Sequence, residues 1–142
     1  MTSDEAETAA VGEAIATDVR PGEILRLQGE MGSGKTVFVR GIARGLGIDP
    51  TEIRSPTFGI VHEHQGPGLS LLHLDLYRLE EEDFDGLGLG ELMEGSSIKV
   101  IEWAERLPPS YRFGRSFVFE DVGTERRRIE EKTSLPLAHE KE

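Results

Sequence analysis

The chain contains 142 residues, no cysteine and a formal net charge of −11 at pH 7. Its length suits one domain, and the lack of cysteine excludes disulfide scaffolds, thiolate metal sites and cysteine nucleophiles. The acidic balance disfavours an autonomous nucleic-acid binder, which needs a basic face for phosphates. The first residues lack the basic start and apolar stretch of a secretory signal, and no apolar run is as long as a membrane span. We therefore expect a cytoplasmic protein.

Two helices and one strand are predicted in the first third of the chain. Apolar residues recur every four positions in the first twenty residues, which indicates a helix, and Thr2 and Glu5 have the spacing of a capping box. A short apolar run follows, then a glycine-rich turn and a second amphipathic stretch. The predicted elements are a helix over 3–19, a strand over 23–28, a turn over 29–34 and a helix from Lys35 to a stop at Gly47.

Further strands are predicted in the rest of the chain. A short acidic helix is expected at 79–84, and the polar residues 131–142 are expected to form a flexible tail behind a domain over 1–130. Strands combined with helices in this way indicate an α/β sheet domain. The predicted strands are 58–62, 70–76, 98–103, 116–120 and 127–130.

The most specific motif is Gly-Glu-Met-Gly-Ser-Gly-Lys-Thr at residues 29–36, which matches G-x-x-x-x-G-K-[S/T] between a strand and a helix. Glycines permit the turns that aim successive backbone N–H groups at phosphates, and the following helix adds its positive end. Lys35 would reach the β- and γ-phosphates, and the Thr36 hydroxyl would ligate Mg²⁺. No N-K-x-D element is present to read a guanine, so adenine is the expected base.

Two carboxylates follow apolar strands and are candidates for the magnesium site. Asp75 ends the predicted strand 70–76, and Glu102 lies near the end of 98–103. A phosphate-loop enzyme needs such an acid opposite its Thr to hold the metal, directly or through water. One of the two would serve the metal and the other would orient water. The alternative for each is a partly buried acid paired with an arginine, such as Arg78 near Asp75.

Three histidines, His62, His64 and His73, lie in or near the predicted strands. A metal cluster would need an acid at matched spacing, which the sequence does not offer. We therefore expect ordinary strand or surface histidines.

Read together, four motifs resemble those of the bacterial TsaE (YjeE) family. They are the phosphate loop, Ser-Pro-Thr-Phe at 55–58, His-Leu-Asp-Leu-Tyr-Arg-Leu at 73–79 and Ile-Glu-Trp at 101–103. The resemblance extends over about residues 5 to 107, in the family's order and spacing. The sequence departs from the family's usual threonine and tyrosine at Gly59 and His64.

The resemblance implies a single three-layer P-loop NTPase domain with a central, mostly parallel sheet. It implies a Mg²⁺-dependent ATPase, slow alone and active within a complex with TsaD and TsaB. That complex makes N6-threonylcarbamoyladenosine (t6A) in tRNA; TsaD would carry out the transfer, and this chain would meet tRNA only indirectly.

The resemblance also implies roles for individual residues. Thr57 would lie near the γ-phosphate, Asp75 at the Walker B position, Glu102 at the magnesium and Trp103 beside the nucleotide. Lys35, Thr57, Asp75 and Glu102 would form the catalytic set, with Thr36, Asp75 and Glu102 as the metal set. The resemblance also implies a nucleotide-binding arginine near the last strands. It is assigned to Arg128, and the adjacent Arg126 and Arg127 leave its exact position open. The implied nucleotide-binding residues are Glu5, Thr8, Gly29, Met31, Gly32, Ser33, Gly34, Lys35, Thr36, Val37, Trp103 and Arg128.

Two other functions fit a phosphate loop. A small-molecule kinase shares the strand, loop and helix, but it usually needs an arginine-bearing lid, for which only residues 126–128 are available. A non-catalytic nucleotide sensor would need binding alone. The combination of Lys35, Thr36, Asp75 and Glu102 argues against the sensor.

Overall fold

Six strands in one sheet form the framework of the residues that the structure describes. The structure, a computed structural model, describes residues 2, 4–29, 34–53, 61–76, 88–104, 107, 114–123 and 126–134. The strands are β1 (Ile24–Gln28), β2 (Val61–Gln65), β3 (Ser70–Asp75), β4 (Ile98–Glu102), β5 (Gly114–Gly123) and β6 (Arg126–Ser134). The helices are α1 (Glu5–Ala16), α2 (Lys35–Gly45) and α3 (Leu89–Leu92), with a 3-10 turn at Pro50–Glu52.

The central strands of the sheet are parallel and its edges are antiparallel. The strand order is β2-β3-β4-β1-β5-β6, with β3, β4, β1 and β5 parallel to one another. The edge strands β2 and β6 run antiparallel to β3 and β5. Because parallel strands end at the same edge of a sheet, Gln28, Asp75 and Glu102 finish close together. The predicted mostly parallel sheet is confirmed.

Apolar side chains cover both faces of the sheet. All five residues of β4 are buried, and three of them, Ile98, Val100 and Ile101, are apolar, as expected for a central strand covered on both faces. Helices α1 and α2 cover one face, and α3 with Ala104 and Leu107 covers the other, so the predicted three-layer arrangement is confirmed. The first core includes Leu25, Leu27, Phe38, Ile42, Leu71, Val100 and Phe117, and the second includes Ile24, Leu72, Leu74, Leu89, Met93 and Ile101.

Helices α1 and α2 pack unusually closely because glycines stand where they cross. A Cβ atom added to Gly41 would lie 1.9 Å from the Ala9 carbonyl oxygen, and one added to Gly12 would lie 2.3 Å from the Phe38 carbonyl oxygen. Neither position tolerates a side chain unless the backbones move apart. The close contact fixes α1 against the helix that begins at the phosphate loop.

The start of α1 differs from the predicted capping box. Asp4 is the N-cap, and its carboxylate accepts a hydrogen bond from the Glu7 backbone N–H at 2.9 Å. The helix therefore spans Glu5–Ala16, rather than 3–19. Thr2 has a different role: its backbone forms a two-way antiparallel bridge with that of Arg127, at 2.8 and 2.9 Å.

The last strand is longer than its sequence pattern suggested. Residues 131–134, expected in the tail, belong to β6 and pair with 114–117 of β5. Strand β2 was expected at 58–62; the described part runs from Val61 to Gln65. The predicted helix at 79–84, the segment 54–60 and residues 135–142 lie outside the described residues. No helix in the described ranges is long and apolar enough to cross a membrane.

Candidate nucleotide-binding site

The phosphate loop connects the carboxyl end of β1 to the amino end of α2. Gly29 has φ 149° and Gly34 has φ 99°, conformations that side chains with a Cβ disfavour. Gly34 is the N-cap of α2, so the first N–H groups of an 11-residue helix point toward the loop. Thr36 and Val37 lie in the first turn of this helix, partly buried. Met31, Gly32 and Ser33 lie outside the described residues.

Lys35 is buried at the base of the loop, with 4% of its surface exposed. Its ammonium donates a hydrogen bond to the Gly29 carbonyl oxygen at 2.5 Å. The same Nζ lies 4.3 Å from the centre of the Trp103 ring, a cation–π contact. The structure thus brings Trp103, predicted from the Ile-Glu-Trp motif, into contact with Lys35 of the phosphate loop.

Trp103 has a strained backbone. Its φ of 59° makes it the one non-glycine residue with a positive φ among those described. Such a conformation costs about 1–3 kcal/mol and is typical of functional sites, where surrounding contacts hold it. The turn comes immediately after Glu102 and carries the indole ring beneath the Lys35 ammonium.

The two candidate carboxylates end neighbouring strands. Asp75 and Glu102 are register partners in the parallel β3–β4 pair, and Leu27 of β1 is aligned with Glu102 on the other side. Glu102 is 4% exposed, whereas Asp75 is partly buried. Carboxylate and hydroxyl oxygens are the hard ligands that Mg²⁺ prefers. The oxygens of Asp75, Glu102 and Thr36 are therefore a donor set that fits this ion.

Glu102 pairs with a histidine, and not with an arginine as the alternative interpretation of this acid would require. The Nε2 atom of His73 lies 2.6 Å from Glu102 Oε2, and His73 is completely buried. The prediction of an ordinary strand or surface histidine missed this contact. One signal was available: alternation along a strand puts residues 73 and 75 on the same face of the sheet.

The neighbouring histidines on β2 lie close to each other. The rings of His62 and His64 are 6.3 Å apart. Burial lowers the pKa of His62 below its usual value, and the nearby His73 and His64 lower it further. The Nδ1 atom of His64 lies 3.7 Å from the Glu52 carboxylate.

The arginine beside the phosphate loop is Arg127. A Cβ atom added to Gly34 would be 3.4 Å from Arg127 Nε, so this side chain lies directly against the loop. Arg128, the residue assigned from the sequence, is 53% exposed and pairs with Glu120 at 2.6 Å. The difference is one residue of register, and consecutive residues of a strand face opposite sides.

The N-terminal candidates lie at the start of α1. Thr8 is buried, and its hydroxyl is 2.7 Å from that of Thr2. Because Thr2 also pairs with the Arg127 backbone, Thr8 is connected to the residue beside Gly34. Glu5 is exposed in the first turn. Thr57 lies outside the described residues.

Comparisons with known proteins agree on one family. The family model described as threonylcarbamoyl adenosine biosynthesis protein TsaE matches residues 2–129. The tRNA threonylcarbamoyladenosine biosynthesis protein TsaE of Bacillus subtilis is 42% identical over 75% of this chain and 69% of the relative. Its counterpart from a Nostoc species is 35% identical over 89% of this chain and 82% of the relative.

A solved structure shares the fold. The crystal structure of Bacillus subtilis YdiB superimposes with a TM-score of 0.70 and 33% identity, over 90% of this chain and 79% of that one. The family match covers the phosphate loop, both strand-end acids and Trp103. The resemblance inferred from the four motifs is confirmed, and the chain belongs to the TsaE family.

Proposed function

We propose that this chain binds Mg²⁺–ATP and hydrolyses it as a subunit of the machinery that makes t6A in tRNA. Its relatives bear the name of tRNA threonylcarbamoyladenosine biosynthesis proteins, which supports the pathway. The observation that carries the activity is the position of Lys35, buried between the Gly29 carbonyl and the Trp103 ring next to Glu102. The end of the parallel strands, where α/β proteins bind ligands, thus carries the lysine, the strained Trp103 and the buried Glu102.

The loop and α2 would bind the phosphates. Backbone N–H groups at the start of α2 carry partial positive charge and have no carbonyl partner within the helix. Lys35 would exchange its Gly29 contact for the β- and γ-phosphate oxygens. Arg127, packed against Gly34, is the arginine that we assign to the phosphate chain.

Thr36, Asp75 and Glu102 would hold the magnesium ion. When bound, Mg²⁺ neutralises charge on the phosphate oxygens and polarises the phosphoryl group for attack. Both carboxylates end strands at the edge of the sheet where β1 also ends, which supports a role for each in contacting the ion or orienting the attacking water. Thr57 is proposed to contact the γ-phosphate.

The ATPase activity is proposed to act within a complex of several proteins. We propose TsaD and TsaB, with tRNA bound through them. The net charge of −11 supports that division, because a chain so acidic repels the phosphate backbone of tRNA. Slow turnover of the isolated chain is expected, since P-loop proteins often receive their last catalytic group from a partner.

The test is phosphate release from Mg²⁺–ATP by the purified chain, with and without TsaD and TsaB. We expect the partners to stimulate release at least about 10-fold and Lys35→Ala to abolish it. The Lys132→Ala variant removes an exposed lysine of β6 and serves as the matched control. If the partners change nothing and a small-molecule acceptor is phosphorylated instead, the chain is a kinase. Nucleotide binding without any turnover would identify a sensor.

A further inference from the structure

We propose that His73 is a positioning residue: its imidazole fixes one oxygen of the Glu102 carboxylate so that the other oxygen is presented to magnesium or to the attacking water. This proposal rests on the ATPase function proposed above, and it adds a residue that the motifs did not assign to the site. It predicts that the reach of the side chain at position 73, and not only its polarity, controls turnover.

The first argument is geometric. His73 Nε2 and Glu102 Oε2 are 2.6 Å apart, a short hydrogen bond just below the usual range of about 2.7–2.9 Å for a nitrogen donor and a carboxylate. The two residues come from neighbouring parallel strands, where His73 is aligned with Val100 and Asp75 with Glu102. Strand β3 therefore supplies two groups to one end of the sheet, and the paired backbones hold both at fixed positions.

The second argument is burial. His73 has no exposed surface, and Glu102 is 4% exposed. An unpaired carboxylate in such a place is costly, and a carboxylate with rotational freedom places its oxygens poorly for a metal that demands near-ideal octahedral geometry. A single buried donor removes both problems, because it stabilises the charge and selects one rotamer.

The third argument is the identity of the donor. An ionised carboxylate only accepts hydrogen bonds, so the proton of the contact belongs to Nε2. The other ring nitrogen, Nδ1, is buried without a hydrogen-bond partner among the described residues. Among the residues that the structure describes, the contact with Glu102 is therefore the one hydrogen bond of the His73 side chain.

Two amide substitutions at position 73 separate the effect of side-chain length from the effect of side-chain polarity. The amide nitrogen of glutamine at position 73 extends to about the place of Nε2, whereas that of asparagine reaches only about as far as Nδ1. We expect His73→Gln to keep kcat for ATP within about 3-fold of the parent, and His73→Asn and His73→Ala to lower it about 10- to 100-fold, the usual cost of losing the residue that orients a metal ligand. All assays contain the partners that give the parent its turnover.

The Mg²⁺ dependence provides a readout that a purely structural role would not change. We expect the Mg²⁺ concentration for half-maximal rate to rise in His73→Asn and to return toward the parent value in His73→Gln. KM for ATP changes little, because the phosphate contacts of the loop remain. Far-UV circular dichroism and thermal midpoints identify folded variants. Equal activity of the Asn and Gln variants, both folded, would overturn the proposal.

Glu102→Gln distinguishes failure of this proposal from failure of the proposed function. If the parent hydrolyses ATP and Glu102→Gln does not, but His73→Asn equals the parent, positioning by His73 is wrong and the ATPase assignment stands. If Glu102→Gln has the parent's activity, the role of Glu102 in the proposed function is wrong. In the double variant of His73→Asn and Glu102→Gln, we expect no loss beyond that of Glu102→Gln alone.

A measurement on the parent needs no substitution. The ¹⁵N chemical shifts of the histidine rings report which nitrogen carries the proton, and His73 is assigned by comparison with His73→Gln. We expect Nε2 of His73 to be protonated, both without nucleotide and with Mg²⁺ and a non-hydrolysable ATP analogue. A proton on Nδ1 with none on Nε2 would exclude the hydrogen bond to Glu102 and with it the proposal.

Discussion

The carboxyl end of the central strands and the β5–β6 ribbon both contain a basic side chain close to an acidic one, but these pairs differ in burial. His73 and Glu102 are 2.6 Å apart with almost no exposed surface. Arg128 and Glu120 are also 2.6 Å apart, with side chains 53% and 59% exposed. The Arg115–Glu131 pair, at 2.7 Å, lies between these extremes. Equal distances therefore join groups in very different surroundings.

Burial, rather than distance, decides what such a pair contributes. An exposed ion pair contributes about 0–1 kcal/mol, because water solvates both charges when they separate. Removing one member of a buried pair leaves a charge without solvent or partner, at a cost of about 3–5 kcal/mol. Substitutions in the buried pair at the end of the sheet should therefore matter, whereas substitutions in the exposed ion pairs of the ribbon should not.

The largest expected effect contrasts two glutamates. Glu102→Gln should reduce ATP hydrolysis at least about 100-fold, because it removes a charge from the metal site. Glu120→Gln should leave the rate within about 2-fold, because its partner Arg128 is solvated. Phosphate release under saturating ATP and Mg²⁺ compares the two. Similar rates in both variants would remove the distinction between the regions.

Helix packing gives the next effect. Gly41→Ala should lower the free energy of unfolding by about 2–3 kcal/mol, because its Cβ would overlap the Ala9 carbonyl of α1. Gly68→Ala is the matched control, since nothing lies within 4 Å of its Cβ position. It should change stability by less than about 0.5 kcal/mol. Urea denaturation of both variants measures the difference, and a tolerant Gly41 would mean that α1 can shift.

Neighbouring arginines of β6 give a smaller effect. Arg127→Ala should weaken binding of Mg²⁺–ATP about 10-fold, because it removes a cation that packs against the phosphate loop. Arg128→Ala should bind within about 2-fold of the parent. Calorimetric titration is suitable, and fluorescence of Trp103, the single tryptophan of the chain, offers a second signal. The opposite order would restore the assignment made from the sequence.

The smallest effect concerns a buried lysine on the other face of the sheet. Lys99 is fully buried, its ammonium donates to the Gly95 carbonyl, and burial lowers its pKa from the ordinary 10.5. Between the lowered value and 10.5 the unfolded chain binds more protons than the folded one, so stability rises with pH in that interval. As the pH increases through this interval, we expect the free energy of unfolding of the parent to rise relative to that of Lys99→Met. Thermal midpoints at several pH values measure the trend, and parallel curves would refute it.

Much of the fold was predictable because it depends on short-range patterns. The apolar runs of β1, β3 and β4 indicated buried strands, and the phosphate loop fixed where β1 ends and α2 begins. The convergence of Lys35, Glu102 and Trp103 followed from parallel strands ending at one edge. These features need only periodicity and one well-defined motif.

The missed features depend on which residues meet in space. The His73–Glu102 contact joins positions 29 residues apart, and a histidine within an apolar strand has no local property that reveals its partner. The choice between Arg127 and Arg128 depends on the register of β6 against β5. At the start of α1, Asp4 and Thr2 are both good caps, and the pairing of Thr2 with Arg127 leaves Asp4 to cap the helix.

The bridge between Thr2 and Arg127 has a consequence for biosynthesis. A ribosome makes Thr2 and the phosphate loop well before Arg127, which pairs with Thr2 and packs against Gly34. A nascent chain that has not yet reached Arg127 therefore holds an incomplete nucleotide cradle. Competence to hold nucleotide should therefore follow the synthesis of Arg127 rather than that of the loop.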